Sequence, residues 1–342
     1  MPSLIAAGTN ELQDPHFFLA DLDVARGLGH FVRVTEQLLE ETTFADSRLP
    51  IDWSRTMRLP MADIEQGDLP TPCPAWLWHT SFCGSTLLSR ILHVPRVVTS
   101  LREPLALRRL ADARHSGVPS QSGMLALSIA LLARPWAPEA RVLLKPTHVA
   151  LNIAIDAMDA TPSARAVVMT SSLPDFLVSH LKKTPETLAK VPDLAGRALS
   201  AGRLHRRLPP EALNPPDILS AIALQWAAQR DLIHQLRQHM FDRVRIIDWE
   251  HAQVDLVQTT VSVARWLDLN IPESVLLANI NLFSGRHAKA PARDYGPRRR
   301  REEARILLAQ HRGEIGRAIA WAESYVLPAL GDDMSDAGLW PP

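Results

Sequence analysis

Short apolar runs and longer stretches in helical rhythm alternate along most of this chain. From Pro74 onward the runs fall at Ala75 to Trp78, Val94 to Thr99, Val142 to Leu144, Ala166 to Met169 and Val244 to Ile247. Short apolar runs separated by helices predict an α/β fold with a central parallel sheet of about five strands, covered on both faces. Before Pro74 the pattern differs. Leu28, Phe31, Val32, Val34, Leu38 and Leu39 approximate a helical stripe, and the stretch from Leu49 to Pro72 is irregular. That predicts an N-terminal helical extension over residues 1–70, packed on a main domain over 71–330, with a tail at 331–342. Pro209, Pro210, Pro215 and Pro216 bracket a loop before a long helix from Ile218 to Met240. No repeat or low-complexity tract interrupts this order.

Charge and composition narrow the partners. The 342 residues hold 37 Lys+Arg against 37 Asp+Glu, so a uniformly basic, nucleic-acid-coating surface is excluded. Cys73 and Cys83 are too few for a disulfide framework or a cysteine-rich zinc site, which fits a reducing compartment; no metal is expected. The longest apolar run, Gly123 to Ala133, falls short of the roughly 18 residues a membrane span needs. The N-terminus lacks a charged start followed by an apolar core. A cytoplasmic protein without membrane or nucleic-acid partners is the expectation, with its oligomeric state open.

The most informative stretch is Trp76-Leu-Trp-His-Thr-Ser-Phe-Cys-Gly-Ser-Thr-Leu-Leu-Ser-Arg90. An apolar strand runs into a turn of small and hydroxylated residues, then into a helix starting near Ser85, with Leu87, Leu88, Ile91 and Leu92 as its buried side. Such a turn aims backbone N–H groups and the positive helix end at one spot, where a phosphate can sit. Gly84 permits close approach, while Ser85 and Thr86 add hydroxyls. The nucleotide-kinase loop G-x-x-x-x-G-K-[ST] is not matched, because its first Gly and its Lys are both missing. An ordinary strand-to-helix turn capped by Ser or Thr is the plainer alternative.

Here the chain resembles the sulfotransferases that use 3′-phosphoadenosine 5′-phosphosulfate (PAPS), particularly their bacterial members. Their first loop, P-K-S-G-T-T or S-R-S-G-S-T, is matched at Gly84, Ser85 and Thr86 within Ser81-Phe82-Cys83-Gly84-Ser85-Thr86, while Phe82 occupies the place of the family's Lys or Arg. The resemblance implies a P-loop-type three-layer α/β/α domain, PAPS as co-substrate, and these six residues at the 5′ end of the donor. A second family signature, R-x-P-x-D-x-x-x-S, holds the 3′-phosphate. Its counterpart here has Ser171 for the Arg, Pro174 one place off register, and Asp175 and Ser179 four apart on one helix face. Ser171 and Ser179 are thereby candidate donor contacts, although Ser171 or Ser172 also reads as a helix N-cap. Arg243 to Glu250 is similar to the family's late strand, with Trp249 for a Tyr, and Trp266-Leu-Asp-Leu269 stands for its closing motif. Ser284 to Pro291 resembles its basic loop over the nucleotide, which makes Arg286 and Lys289 candidates for the 3′-phosphate; a solvated loop is the alternative.

Catalytic groups are expected at the carboxyl ends of the strands. Glu103 follows the strand from Val94, and Lys145 ends the strand from Arg141, with His148 three residues on. In the family a Glu or a His acts as base and a Lys supports the leaving phosphate. Glu103 and His148 are both candidates for the base, and Lys145 for the cation missing at Phe82. The reading is transfer of a sulfuryl group from PAPS to a hydroxyl, or an amine, of a small-molecule or peptide acceptor that the sequence does not specify. An ATP-dependent phosphotransferase on a small molecule and a catalytically lapsed binding protein are the alternatives.

Overall fold

All five apolar runs after Pro74 contribute strands. A computed structural model describes residues 9–64, 69–119, 123–287, 290–294 and 296–331. Strands β1 (Phe17–Asp23), β2 (Leu28–Arg33) and β3 (Met57–Pro60) form an antiparallel sheet in that order. Strands β4 (Ala75–His79), β5 (Val98–Arg102), β6 (Arg141–Lys145), β7 (Ala166–Thr170) and β8 (Val244–Asp248) form a parallel sheet ordered β5-β6-β4-β7-β8, flanked by helices. The helices that matter below are α1 (Glu36–Glu41), α2 (Ser85–Ile91), α3 (Leu173–Leu181), α4 (Ile218–His239), α5 (Trp249–Val254) and α6 (Pro297–Gln310). No helix among the described residues is long and apolar enough to cross a membrane.

The chain divides into two compact units, one of Met1–Leu77, Leu92–Arg165 and Ala264–Ile271, the other of Trp78–Ile91, Ala166–Val263 and Pro272–Pro342. Strand β4 passes from the first into the second.

In the first unit the expected helical extension is corrected. Residues 28–33 are the central strand of the antiparallel sheet, and only Glu36–Glu41 of the apparent stripe is helical. Gly27, at φ 67°, lets the chain reverse between β1 and β2, and the residues of β2 then pair with β1 from Asp23↔Leu28 to Phe17↔Arg33, with a shift of register between Leu19 and Asp21. Thr35 ends the strand and caps α1 by accepting from Leu38 N at 3.1 Å. The run at Val94 starts its strand four residues late. Val94 merely bridges Val98 around Pro95 and Arg96, whose φ is 65°, and Glu36 steadies this turn by accepting from Arg96 N and Thr99 Oγ1. Two buried arginines tie the unit together through main-chain carbonyls. Arg102 donates to those of Leu39, Glu40, Thr42, Thr43 and Ser100, closing the C-terminal end of α1. Arg134 donates to Leu12, Asp14, Phe17 and Leu131, and burial pulls its pKa down to about 10.

In the second unit β7 and β8 pair from Ala166↔Val244 to Thr170↔Asp248, so both strands end level. Helix α4 begins where the prolines stop: Asp217 caps it by accepting from Ser220 N at 2.8 Å. Its Asp231, 2% exposed, accepts from the backbone of Arg203 and Leu204 and from Arg207, so this buried carboxylate holds the preceding loop.

Candidate functional site

The turn between β4 and α2 lies within the second unit and is shaped by backbone handedness. Phe82 (φ 61°) and Gly84 (φ 72°) are both left-handed, with Cys83 between them in the ordinary range. Alternating hands fold successive N–H groups toward one concave spot, the geometry of an anion nest. Thr80 N donates to Met169 O at 2.9 Å, which pins the turn to β7, and the Thr80 carbonyl accepts from Cys83 Sγ and His79 Nδ1. Gly84 O then accepts from Leu87 and Leu88 N, starting α2. Ser85 and Thr86 sit in its first turn, buried, where N–H groups have no partner inside the helix. Ser81 is also buried and Cys83 entirely so. The six residues expected at the donor's 5′ end are thus gathered in one turn.

Two features of the turn were not foreseen. A Cβ on Gly84 would stand 2.3 Å from Trp249 Cε3, so it is the indole of Trp249, at the head of α5, that makes the close approach requiring glycine. Arg300 of α6 lies 5.9 Å from the Trp249 ring. Phe82 is built into an aromatic group: its ring meets His180 edge-on at 4.7 Å, and His180 lies 4.5 Å from Phe176. On the Phe82 ring sits Lys183 Nζ, 4.4 Å from the centroid. Burial, reinforced by Lys183, pulls the His180 pKa down to about 4, and its Nδ1 donates to Phe176 O.

At the end of β7 the second expected motif is only partly built. Ser171, 2% exposed, offers its carbonyl to Trp226 Nε1 at 2.8 Å, and its hydroxyl meets no partner among the described residues. Ser172 is the N-cap of α3, accepting from Asp175 N, with Pro174 in the first helical turn. Ser179 is half-buried one turn after Asp175. Instead of an arginine, carboxyl groups gather here. Glu250 accepts from Ser172 N at 3.1 Å, its own N–H donates to Asp248, and burial together with hydrogen bonds to Asp248 and Asp175 holds its pKa well above the carboxylate range. A raised pKa favours the neutral form of Glu250, which can share the corner with Asp175 and Asp248 at less repulsive cost than a third carboxylate. Among the described residues no group of three or more His, Cys, Asp or Glu is arranged to hold a metal ion. A guanidinium does reach the residue before Ser171, since Arg230 of α4 donates to Thr170 Oγ1 at 2.9 Å. Arg286 lies exposed on a two-residue strand, and Lys289 falls outside the described residues.

In the first unit, Lys145 and Glu103 are brought together. Lys145 is 0% exposed, and its Nζ donates to Glu103 Oε1 at 3.0 Å; Arg48 reaches the other carboxylate oxygen at 4.0 Å. Glu103 N donates to Lys145 O, and the Glu103 backbone is left-handed at φ 57°. A bulky residue in that conformation stores strain of about 1–3 kcal/mol. His148 opens a short 3-10 helix, half-buried, three residues past Lys145. Arg102, the neighbour of Glu103 in the chain, is occupied with the carbonyls around α1.

Lys183, Arg300 and the gathering of Asp248 and Glu250 about Asp175 were passed over by sequence reasoning, which had Trp249 and Asp175 only as members of motifs. Only the Asp-Trp-Glu at the end of an apolar run offered a signal, because acidic and aromatic residues at a strand's carboxyl end are well placed for ligands.

No protein-family model matches the chain, and no curated protein matches it either. Among solved structures it is similar to the sulfotransferase STF1 from Mycobacterium tuberculosis H37Rv, at 15% identity, with 62% of this chain and 72% of that one covered and a TM-score of 0.32. At that identity and score the likeness bears on neither fold nor activity.

Proposed function

We propose that the protein is a sulfotransferase that takes PAPS as donor and passes its sulfuryl group to a hydroxyl or amine of a small-molecule or peptide acceptor. The observation that carries this reading is the turn at Thr80–Gly84: an anion nest at the end of a parallel strand that lacks the lysine of nucleotide kinases. The nest fits the 5′ end of such a donor, with Ser81 to Thr86 around it. Ser171 itself brings no charge to a 3′-phosphate; the guanidinium of Arg230, which donates to the neighbouring Thr170 Oγ1, is a cation beside it. When bound, the donor brings a sulfuryl group attached to a phosphate that can leave.

The chain's own groups would do the rest. Glu103 carries two oxygens, one tied to Lys145, and can accept the proton that the acceptor hydroxyl gives up. Lys145 keeps a fixed positive charge in a water-poor setting, where it stabilises growing negative charge more than it would in solution. His148 is the second candidate for the base.

Calorimetry separates the readings. Adenosine 3′,5′-bisphosphate should bind without Mg²⁺ and more tightly than ATP. Failure to bind it at millimolar concentration, together with Mg²⁺-dependent ATP binding, would replace the sulfotransferase with a phosphotransferase. Bisphosphate binding with no sulfate transfer to any hydroxyl acceptor would mark a binding protein.

A further inference from the structure

Phe82 stands where a phosphate-binding turn of this type is expected to carry a lysine or arginine, yet the turn is not left without positive charge. The Phe82 backbone is held left-handed by the turn, and its ring is fixed by His180 against one edge. Lys183, two residues beyond the end of α3, places its ammonium 4.4 Å from the centre of that ring. The two basic residues beside it in this stretch do not. His180 is buried and neutral at physiological pH, and the ammonium of Lys182 is directed to Glu303 at 2.8 Å. A second, independent sign of a polar ligand lies in the same turn: the Thr80 hydroxyl is fully buried and has no hydrogen-bond partner among the described residues.

We propose that Lys183 is an anion-binding residue of the turn, delivering to the 5′ end of a nucleotide ligand the charge that Phe82 cannot. The phenyl ring acts as its rest. A cation on a ring face is held less strongly than one in a charge-assisted hydrogen bond to phosphate, so an arriving phosphate draws the ammonium a short way and the ring gives it up. This inference rests on the reading of the turn as a nucleotide-phosphate site. It also explains why a turn otherwise suited to phosphate tolerates an aromatic residue at its cationic position: the ring is needed to park a cation that comes from another element.

The test is calorimetry of the full chain with adenosine 3′,5′-bisphosphate and with 5′-AMP. Lys183→Gln should weaken both by about tenfold, the size of one charge-assisted hydrogen bond, and leave their ratio unchanged because only the 5′ end is served. Lys183→Arg should keep most of the affinity. Lys182→Gln, which removes the same charge one residue away, should stay within about twofold of the parent, so that a general electrostatic effect is told apart. Unchanged binding in Lys183→Gln overturns the inference while the nucleotide reading survives. An equal loss in Lys182→Gln, or a changed ratio between the two nucleotides, also overturns it. If the parent chain binds neither nucleotide, the reading of the turn falls and the inference with it. Thermal melting of Lys183→Gln within a few degrees of the parent confirms that affinity, not folding, is being measured.

Discussion

At the scale of single residues, the pair Lys145–Glu103 dominates the first unit. A fully buried ammonium is tolerable only while a carboxylate faces it, and Glu103 is that carboxylate at 3.0 Å. Removing one partner leaves the other charge buried and uncompensated. Glu103→Gln is therefore expected to destabilise the protein by about 3 kcal/mol, and Lys145→Met in the same chain to restore most of the loss. Urea unfolding of the two single variants and the double variant gives the coupling directly; additive effects would show that the pair is not a unit. Turnover should be lost wherever Lys145 is replaced; its loss in Glu103→Gln assigns the base to Glu103, and its survival there assigns it to His148. Both residues were legible in the sequence, since each follows an apolar run that ends as a strand. Lys183 was not. Its role depends on a ring brought from a distant turn, and no spacing along the chain encodes a cation resting on an aromatic face.

The elements themselves show where pattern reading succeeds and where it fails. Five apolar runs became five parallel strands, because strands buried on both faces leave an uninterrupted apolar signature. The N-terminal hairpin was misread for a physical reason: Leu28, Phe31, Val34 and Leu38 fit a period near 3.6, while β2 has only six residues in which to display a period of two. The reversal at Arg26-Gly27 was the overlooked signal. The turn before α2 was located correctly, yet its glycine serves a different neighbour from the one expected. Gly84→Ala places a methyl against the Trp249 indole in a left-handed backbone and should cost about 3 kcal/mol, from conformational strain and overpacking together. Adding Trp249→Leu should recover the packing share but not the backbone share. A Gly84→Ala variant within 0.5 kcal/mol of the parent in urea unfolding, against losses of about 1–3 kcal/mol for each effect, would remove Trp249 as the reason for the glycine. Arg102 makes a parallel case at the end of α1. Arg102→Met should lower stability by about 2–4 kcal/mol, because several carbonyls lose a charged donor, while bisphosphate affinity stays unchanged. A loss of affinity without a loss of stability would instead make Arg102 a ligand contact.

For the whole molecule, equal numbers of acidic and basic residues say little about how stability responds to pH, because two buried groups of the second unit weigh more than the sum. The folded chain keeps Glu250 protonated to a pH well above 4.5, through burial and its hydrogen bonds with Asp248 and Asp175, whereas the unfolded chain loses that proton near 4.5. The native state then holds more protons than the unfolded one, so this group lowers stability progressively as pH rises above about 4.5. His180 acts in the other direction. Buried and pulled to about 4 from 6.5, it is neutral in the folded chain at pH values where the unfolded chain has already gained a proton, so stability falls as pH drops from about 6.5 toward 4. Between 4.5 and 6.5 the two slopes oppose each other, and above 6.5 only the loss through Glu250 remains. These two groups together place the most stable range on the weakly acid side rather than at neutrality. Glu250→Gln keeps a neutral, hydrogen-bonding side chain and should flatten the alkaline decline, so that melting temperatures at pH 8.5 and 6 draw together. His180→Gln should flatten the acid side, a change on the order of 2 kcal/mol between pH 7 and 5. Urea midpoints collected from pH 4 to 9 for the parent and both variants decide the matter: an alkaline slope unchanged in Glu250→Gln would mean that Glu250 is ionised in the native protein, and the three acidic side chains around Ser172 would then need a bound cation to stay together.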